Sequence, residues 1–336
     1  MKSLRLVMPF VVALVLVVAL FAGAKIGWSD FTGAVRGFTL PILAGILATT
    51  GLFLLLSNLK WRLVMARISH PEAAPIDWRL SLYYTALGAA LSVVFLPQAA
   101  MAVSRALGAR YHLQQPATTS AAATVFEQIF DQIPLFAFAA ATVAVIVMGA
   151  GIGQWLFLSA ALIAAGYVAL VVMLRTGFKL PGRFGIVPAA LRSRYESKFA
   201  WFGGDAAQSL LQSRFIAILC GLSIARYFAL LLRALLIFRA LETPITGFAF
   251  FKAFSLVRLS GLLAITPGGL GVTEWTWTGV LVWMNYSLEE ATRFAIANRF
   301  YNVTSVLAVF ALVSMALWLG GLLGRDAGGP RERSKP

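Results

Sequence analysis

Thr266-Pro-Gly-Gly-Leu-Gly-Val-Thr-Glu274 interrupts an otherwise apolar stretch with a proline, three glycines and a carboxylate. Pro267, Gly268, Gly269 and Gly271 cannot continue a helix without cost, because proline removes a donor and glycine gives up the most backbone freedom. In hydrocarbon the freed backbone groups need protein or water as partners, so a broken segment at membrane depth is expected to line a cavity. Glu274 follows at once, and an ionisable group in such a place is a candidate site residue. A solvated turn between two spans is the competing reading.

The composition supports the membrane setting. Of 336 residues, 60% are hydrophobic and 12% charged, with a mean hydropathy of +0.83; a soluble domain carries about 25% charged residues. The formal charge of +15 sits in short runs between apolar segments, as in a multispanning protein with basic cytoplasmic loops, and no nucleic-acid partner is expected. The single cysteine, Cys220, excludes a disulfide framework, and His70 and His112 lie far apart, so neither a metal site nor a cofactor is expected.

Apolar runs of about 20 residues predict spans near 6–24, 38–59, 122–148, 154–174, 212–238 and 294–321. The first begins after Lys2 and Arg5 and is too long for a signal core, so an uncleaved span is expected. Segments 80–96 and 247–265 end in matching breaks, Phe95-Leu-Pro97 and Ile265-Thr-Pro267, each followed by a charged residue, Arg105 or Glu274. The chain therefore reads as an all-α polytopic protein of two halves, each with two spans, a broken segment and a third span.

If both broken segments enter and leave one face, the basic stretches fall together. These are Lys2 and Arg5; Lys60, Arg62, Arg67 and Arg79; Arg105 and Arg110; Arg175 to Lys198; and Arg325 to Lys335. The opposite face receives Gly149 to Gly153 and Ser287-Leu-Glu-Glu290. Three spans per half then invert the second half relative to the first, an arrangement that builds sites near the midplane. Full crossing of the broken segments would give eight spans instead. Residues 1–174 are read as the first half plus the start of the second (broken segment 80–105), 175–211 as a basic cytoplasmic linker, 212–322 as the rest of the second half (broken segment 247–290) and 323–336 as a disordered tail, all in one membrane domain with both termini cytoplasmic. Within the linker, Val187 to Trp201 reads either as an interfacial helix or as an ordinary basic loop.

Glu127 and Asp131 are four residues apart and share a helix face, where two carboxylates repel and call for cations. Candidate partners are Arg105, Arg226, Arg233, Arg258 and Arg299; snorkelling at helix ends is the alternative for some, chiefly Arg233 and Glu127. Trp275, Trp277, Trp283 and Tyr286 read as a headgroup belt or, alternatively, a ring-lined groove.

The glycine run with Glu274 resembles the signature of the lysylphosphatidylglycerol synthase transmembrane-region family, also described as flippase-like. Leu96-Pro97 with Arg105, the acidic pair Glu127 and Asp131, and the late arginines Arg226 and Arg299 resemble it too, over about residues 8–322. The chain departs from the pattern at Gln98-Ala-Ala-Met101, where the family has a Gly-Arg-containing run, and at Thr273, where a basic residue is common. The resemblance implies movement of a lipid between leaflets, or handling of an envelope lipid such as a hopanoid or aminoacyl-lipid, in a bacterial inner membrane. Synthesis is not implied, since a transferase needs a soluble domain of about 100 residues and the longest polar stretch is the linker.

The expected function is thus a non-enzymatic lipid transporter with an anionic or zwitterionic headgroup as ligand. Its cavity residues would be Pro97, Arg105, Glu127, Asp131, Arg226, Arg258, Pro267, Gly268, Gly269, Gly271, Glu274 and Arg299. The alternatives are an accessory subunit working with lipid-biosynthesis enzymes, or a membrane enzyme whose Glu127 and Asp131 hold a divalent ion. No nucleotide-binding motif is visible, so active transport would draw on an ion gradient or a pathway partner.

Overall fold

The computed structural model describes residues 38–69, 76–112, 115–175, 210, 212–241, 245–261 and 266–320. The span expected at 6–24, nearly all of the 175–211 linker and the tail 323–336 lie outside the described residues. Regular structure among the described residues is entirely helical. In chain order it comprises α1 (Leu40–Ile68), α2 (Trp78–Leu91), α3 (Pro97–Tyr111), α4 (Ala117–Met148), α5 (Ile152–Arg175), α6 (Ser213–Ala240), α7 (Gly247–Ser260), α8 (Val272–Trp283) and α9 (Leu288–Leu319), with a short 3₁₀ turn at Pro267–Gly269 between α7 and α8.

Five of these helices, α1, α4, α5 up to Val172, α6 and α9, are long and apolar enough to cross a membrane. Their outward faces carry Leu40, Val147, Phe157, Trp318 and Leu319, each more than two-thirds exposed. Such side chains on four of these five helices require lipid around them. The protein is a polytopic α-helical membrane protein.

The short helices are paired as hairpins. Antiparallel contacts join α2 to α3: Ser104 Oγ donates to Tyr84 O, and Gly88 faces Met101 and Ser104. At Gly108 a Cβ would run into the Tyr84 ring, so the absence of a side chain there sets how closely the two helices approach. The hairpin turns where expected, with Pro97 at the first position of α3, where its missing N–H is no loss. The second hairpin, α7 and α8, closes on Trp277, which packs between Phe250 and Phe254 of α7 and Phe294 of α9.

The lengths recur along the chain. Helices α1 to α4 run 29, 14, 15 and 32 residues, and α6 to α9 run 28, 14, 12 and 32. Packing recurs as well: α1 lies against α6, the first hairpin's α2 against α9, and the second hairpin's α7 against α4.

Candidate functional site

The two hairpins meet at their tips. Gly268 N donates to Phe95 O at 3.1 Å, so the break in the second hairpin is satisfied by the break in the first. Gly268 has φ +58°, and a Cβ there would strike the Val93 carbonyl and stand 2.9 Å from Arg299 Nη2. Only glycine meets both demands. Within the loop, Gly269 N donates to Thr266 O at 3.0 Å, and Thr266 Oγ1 donates to Leu270 O at 2.7 Å.

Glu274 and Arg299 secure this junction. Glu274, 4% exposed, accepts from Gly271 N at 2.7 Å through Oε2, which caps the start of α8. Its Oε1 lies 3.6 Å from Arg299 Nε. Arg299 in turn donates from Nη1 to Gly268 O at 2.7 Å. Glu274 is therefore both a helix cap and half of an ion pair between α8 and α9.

The first half carries the same pairing with the signs exchanged. Arg105 of α3 forms a salt bridge with Glu127 of α4, and both are buried. Arg105 also donates from Nε to Thr85 Oγ1 at 3.2 Å and from Nη2 to Ser57 O at 3.0 Å, and its guanidinium lies 5.5 Å from the centre of the Trp61 ring. One arginine thus ties α3 to α1, α2 and α4. One turn along α4, Asp131 receives two cations: Lys60 Nζ of α1 at 2.5 Å and the guanidinium of Arg226 of α6. Lys60 also donates to Glu127 O at 3.1 Å.

Pro134 shapes this part of α4. Lacking an N–H, it leaves the Phe130 carbonyl without its helical partner. Tyr167 of α5 supplies the missing donor, its hydroxyl 3.1 Å from Phe130 O.

On α6, Arg226 stacks against Phe53 at 4.4 Å. Arg233, two turns further, is buried and donates to Thr50 Oγ1 at 3.4 Å. Across from them on α7 stands Arg258, whose Nε is buried with no hydrogen-bond partner among the described residues. Interior charge is uneven: the buried Lys60, Arg105 and Arg233 and the half-buried Arg226, Arg258 and Arg299 face only Glu127, Asp131 and Glu274 among the described residues.

The geometry groups the twelve candidates into three places. Pro97, Pro267, Gly268, Gly269, Gly271, Glu274 and Arg299 belong to the hairpin tips and their brace; Arg105, Glu127, Asp131 and Arg226 form the inter-helix charge cluster; Arg258 stands beside Arg226 and has no ion-pair partner among the described residues. Two expectations, for Lys60 and Trp277, need correction, and the snorkelling alternative for Glu127 and Arg233 falls away. Lys60, grouped with basic loop residues, is wholly buried, because α1 continues to Ile68 instead of ending near 59. Glu127 and Arg233 do not reach out to the headgroups: they are 2% and 9% exposed. Trp277 belongs neither to a belt nor to a groove but to the core, whereas Trp275 and Trp283 are exposed. Lys60 could have been found from its own turn, since Trp61, Val64 and Met65 continue the apolar pattern past the charge.

No curated protein and no solved structure matches the chain. The family of the Lysylphosphatidylglycerol synthase TM region matches residues 8–310, which takes in both hairpins and every charged residue of the interior. On that match the chain belongs to the lysylphosphatidylglycerol synthase transmembrane-region family.

Proposed function

We propose that this protein moves or handles a polar envelope lipid between leaflets, holding an anionic or zwitterionic headgroup in its charged interior and carrying out no chemistry on it. The observation that carries the reading is the tip-to-tip contact of two hairpins, Gly268 to Phe95, beside a buried set of charges. Arms of 14, 15, 14 and 12 residues rise about 18–23 Å at 1.5 Å per residue, short of a hydrocarbon core of about 30 Å. Such arms fit re-entrant hairpins that dip from opposite faces and meet near the midplane. Three crossings, α4, α5 and α6, then separate the two hairpins, and the recurring lengths and contacts fit an inverted repeat. The basic termini fit a cytoplasmic placement in a bacterial inner membrane. Partner enzymes would supply or consume the lipid.

The metal-dependent alternative fares worse on the donor set. Glu127 already binds Arg105, and Asp131 already binds Lys60 and Arg226, so a divalent ion would have to displace buried cations to reach either carboxylate. The test is lipid translocation in proteoliposomes, using fluorescent phosphatidylglycerol and phosphatidylcholine. Flux should fall about tenfold or more in Arg226→Ala and Glu274→Gln, the equivalent of losing one charge-assisted contact. Flux unchanged in both variants overturns the assigned roles, and absence of flux in the unaltered protein overturns transport itself.

A further inference from the structure

Arg226, Arg233 and Arg258 concentrate more positive charge than the described residues of the interior balance. Arg226 and Arg233 are seven residues apart on α6 and so lie on one face. The neighbouring helix is pinned to that region: Tyr227 Oη and Ser255 Oγ are 2.9 Å apart, and Arg258 follows Ser255 by three residues on the same side of α7. Arg258 lies within Coulombic range of Arg226, Arg233 and Asp131.

Their donors are underused. Arg226 bonds Asp131 through Nη1, while its Nε is buried without a hydrogen bond to any described residue. Arg233 makes one long bond among the described residues, to a hydroxyl. Among the described residues Arg258 has neither a hydrogen bond nor a salt bridge, and its Nε is buried. Asp131, the carboxylate at hand among the described residues, is shared with Lys60. Among the described residues, four cations against one carboxylate leave an excess of three positive charges, and partial burial makes that excess costly.

We propose that Arg226, Arg233 and Arg258 form a receptor for a phosphate monoester, the doubly charged group of a lipid phosphate headgroup. This deepens the lipid-site reading above and rests on it. A zwitterion returns no net charge to the cluster, a phosphodiester returns one, and an aminoacylated headgroup adds a cation. A monoester brings close to two negative charges and three acceptor oxygens, which planar guanidinium forks can bind in pairs. Inorganic phosphate carries the same chemistry, and the experiment separates the two sources.

Short-chain phosphatidic acid, phosphatidylglycerol, phosphatidylcholine and inorganic phosphate are each titrated into the purified full chain in detergent, with calorimetry and ligand-induced thermal shift as readouts. Phosphatidic acid should bind about tenfold or more tightly than phosphatidylglycerol, and its affinity should rise with pH through about 6 as the second proton leaves. R233Q and R258Q should each weaken phosphatidic acid binding about tenfold, consistent with loss of a charge-assisted pair. R258K guards against a folding defect: it keeps the charge, loses the fork and should bind with intermediate strength. R258Q should melt no lower than the unaltered protein when empty, since it removes an unbalanced charge. Inorganic phosphate binding as tightly as phosphatidic acid, with the same sensitivity to R258Q, supports the phosphate site and assigns it to a soluble ligand. Equal affinity for phosphatidic acid and phosphatidylglycerol, or phosphatidic acid binding indifferent to both R233Q and R258Q, overturns the proposal. Translocation without a monoester preference would sink this inference and leave transport standing; monoester binding without translocation would do the reverse.

Discussion

Gly268 donates its amide to the carbonyl of Phe95, across 173 residues of chain, and so joins two breaks that would otherwise each expose backbone. A glycine is demanded there by conformation and by space together. Gly149 makes a clean comparison, because its φ is +62° but nothing lies within 4 Å of a Cβ placed on it. Gly149→Ala should therefore cost only the conformational penalty, about 1 kcal/mol. Gly268→Ala adds overlap with the Val93 carbonyl and Arg299 and should cost about 2–4 kcal/mol. Thermal unfolding of the two variants in one detergent checks this, and equal losses would show that the tips do not touch.

Arg105 and Glu127 are buried together, so removing one partner should hurt more than removing both. Glu127→Leu leaves a guanidinium in an apolar setting and should destabilise by about 3–5 kcal/mol. The double variant R105M/E127L should lose clearly less than the sum of the single losses. A double-mutant cycle measured by chemical or thermal unfolding decides the matter; additive losses would mean that the pair is not coupled.

The breaks were legible because their chemistry is local. Proline at 97 and 267 and the glycines at 268, 269 and 271 dictate turns whatever surrounds them. The acidic pair Glu127 and Asp131 could also be read as needing cations. Which cations answer was not legible, since Arg105, Lys60 and Arg226 arrive from three other helices, and no spacing along the chain encodes that meeting. Lys60 was hidden by its own charge, which ends an apolar run in any hydropathy reading although the helix continues. Arg233 fitted the look of a snorkelling residue because it is six residues from the Arg239 end of α6, yet α1 covers it with Thr50. The double duty of Glu274, cap and ion partner, needs the loop geometry that only the fold supplies.

Lys60 is 0% exposed and held by Asp131 and the Glu127 carbonyl. Lys252, partly exposed beside the Phe248 ring, is an internal reference. Amine-reactive labelling of the folded protein should modify Lys252 and spare Lys60, and both should react after denaturation. Peptide mass spectrometry reads the outcome directly. Lys60 modified as fast as Lys252 in the native state would contradict its burial and, with it, the grip of α1 on α4.

The hairpin bases should open on opposite sides of the membrane. Asp77 caps the start of α2 at the base of the first hairpin, and Asn285, with φ +69°, follows α8 at the base of the second. Cys220 is the sole native thiol, so a Cys220→Ser background leaves none to confuse labelling. Single cysteines at residues 77 and 285 should then react with a membrane-impermeant maleimide from opposite faces of sealed, oriented vesicles. In the re-entrant arrangement proposed above, each hairpin would return to the face it left, and an odd number of crossings, α4, α5 and α6, would separate the two. Labelling of both positions from one face would mean that the paired short helices traverse the bilayer as broken spans, and the inverted arrangement would have to be abandoned.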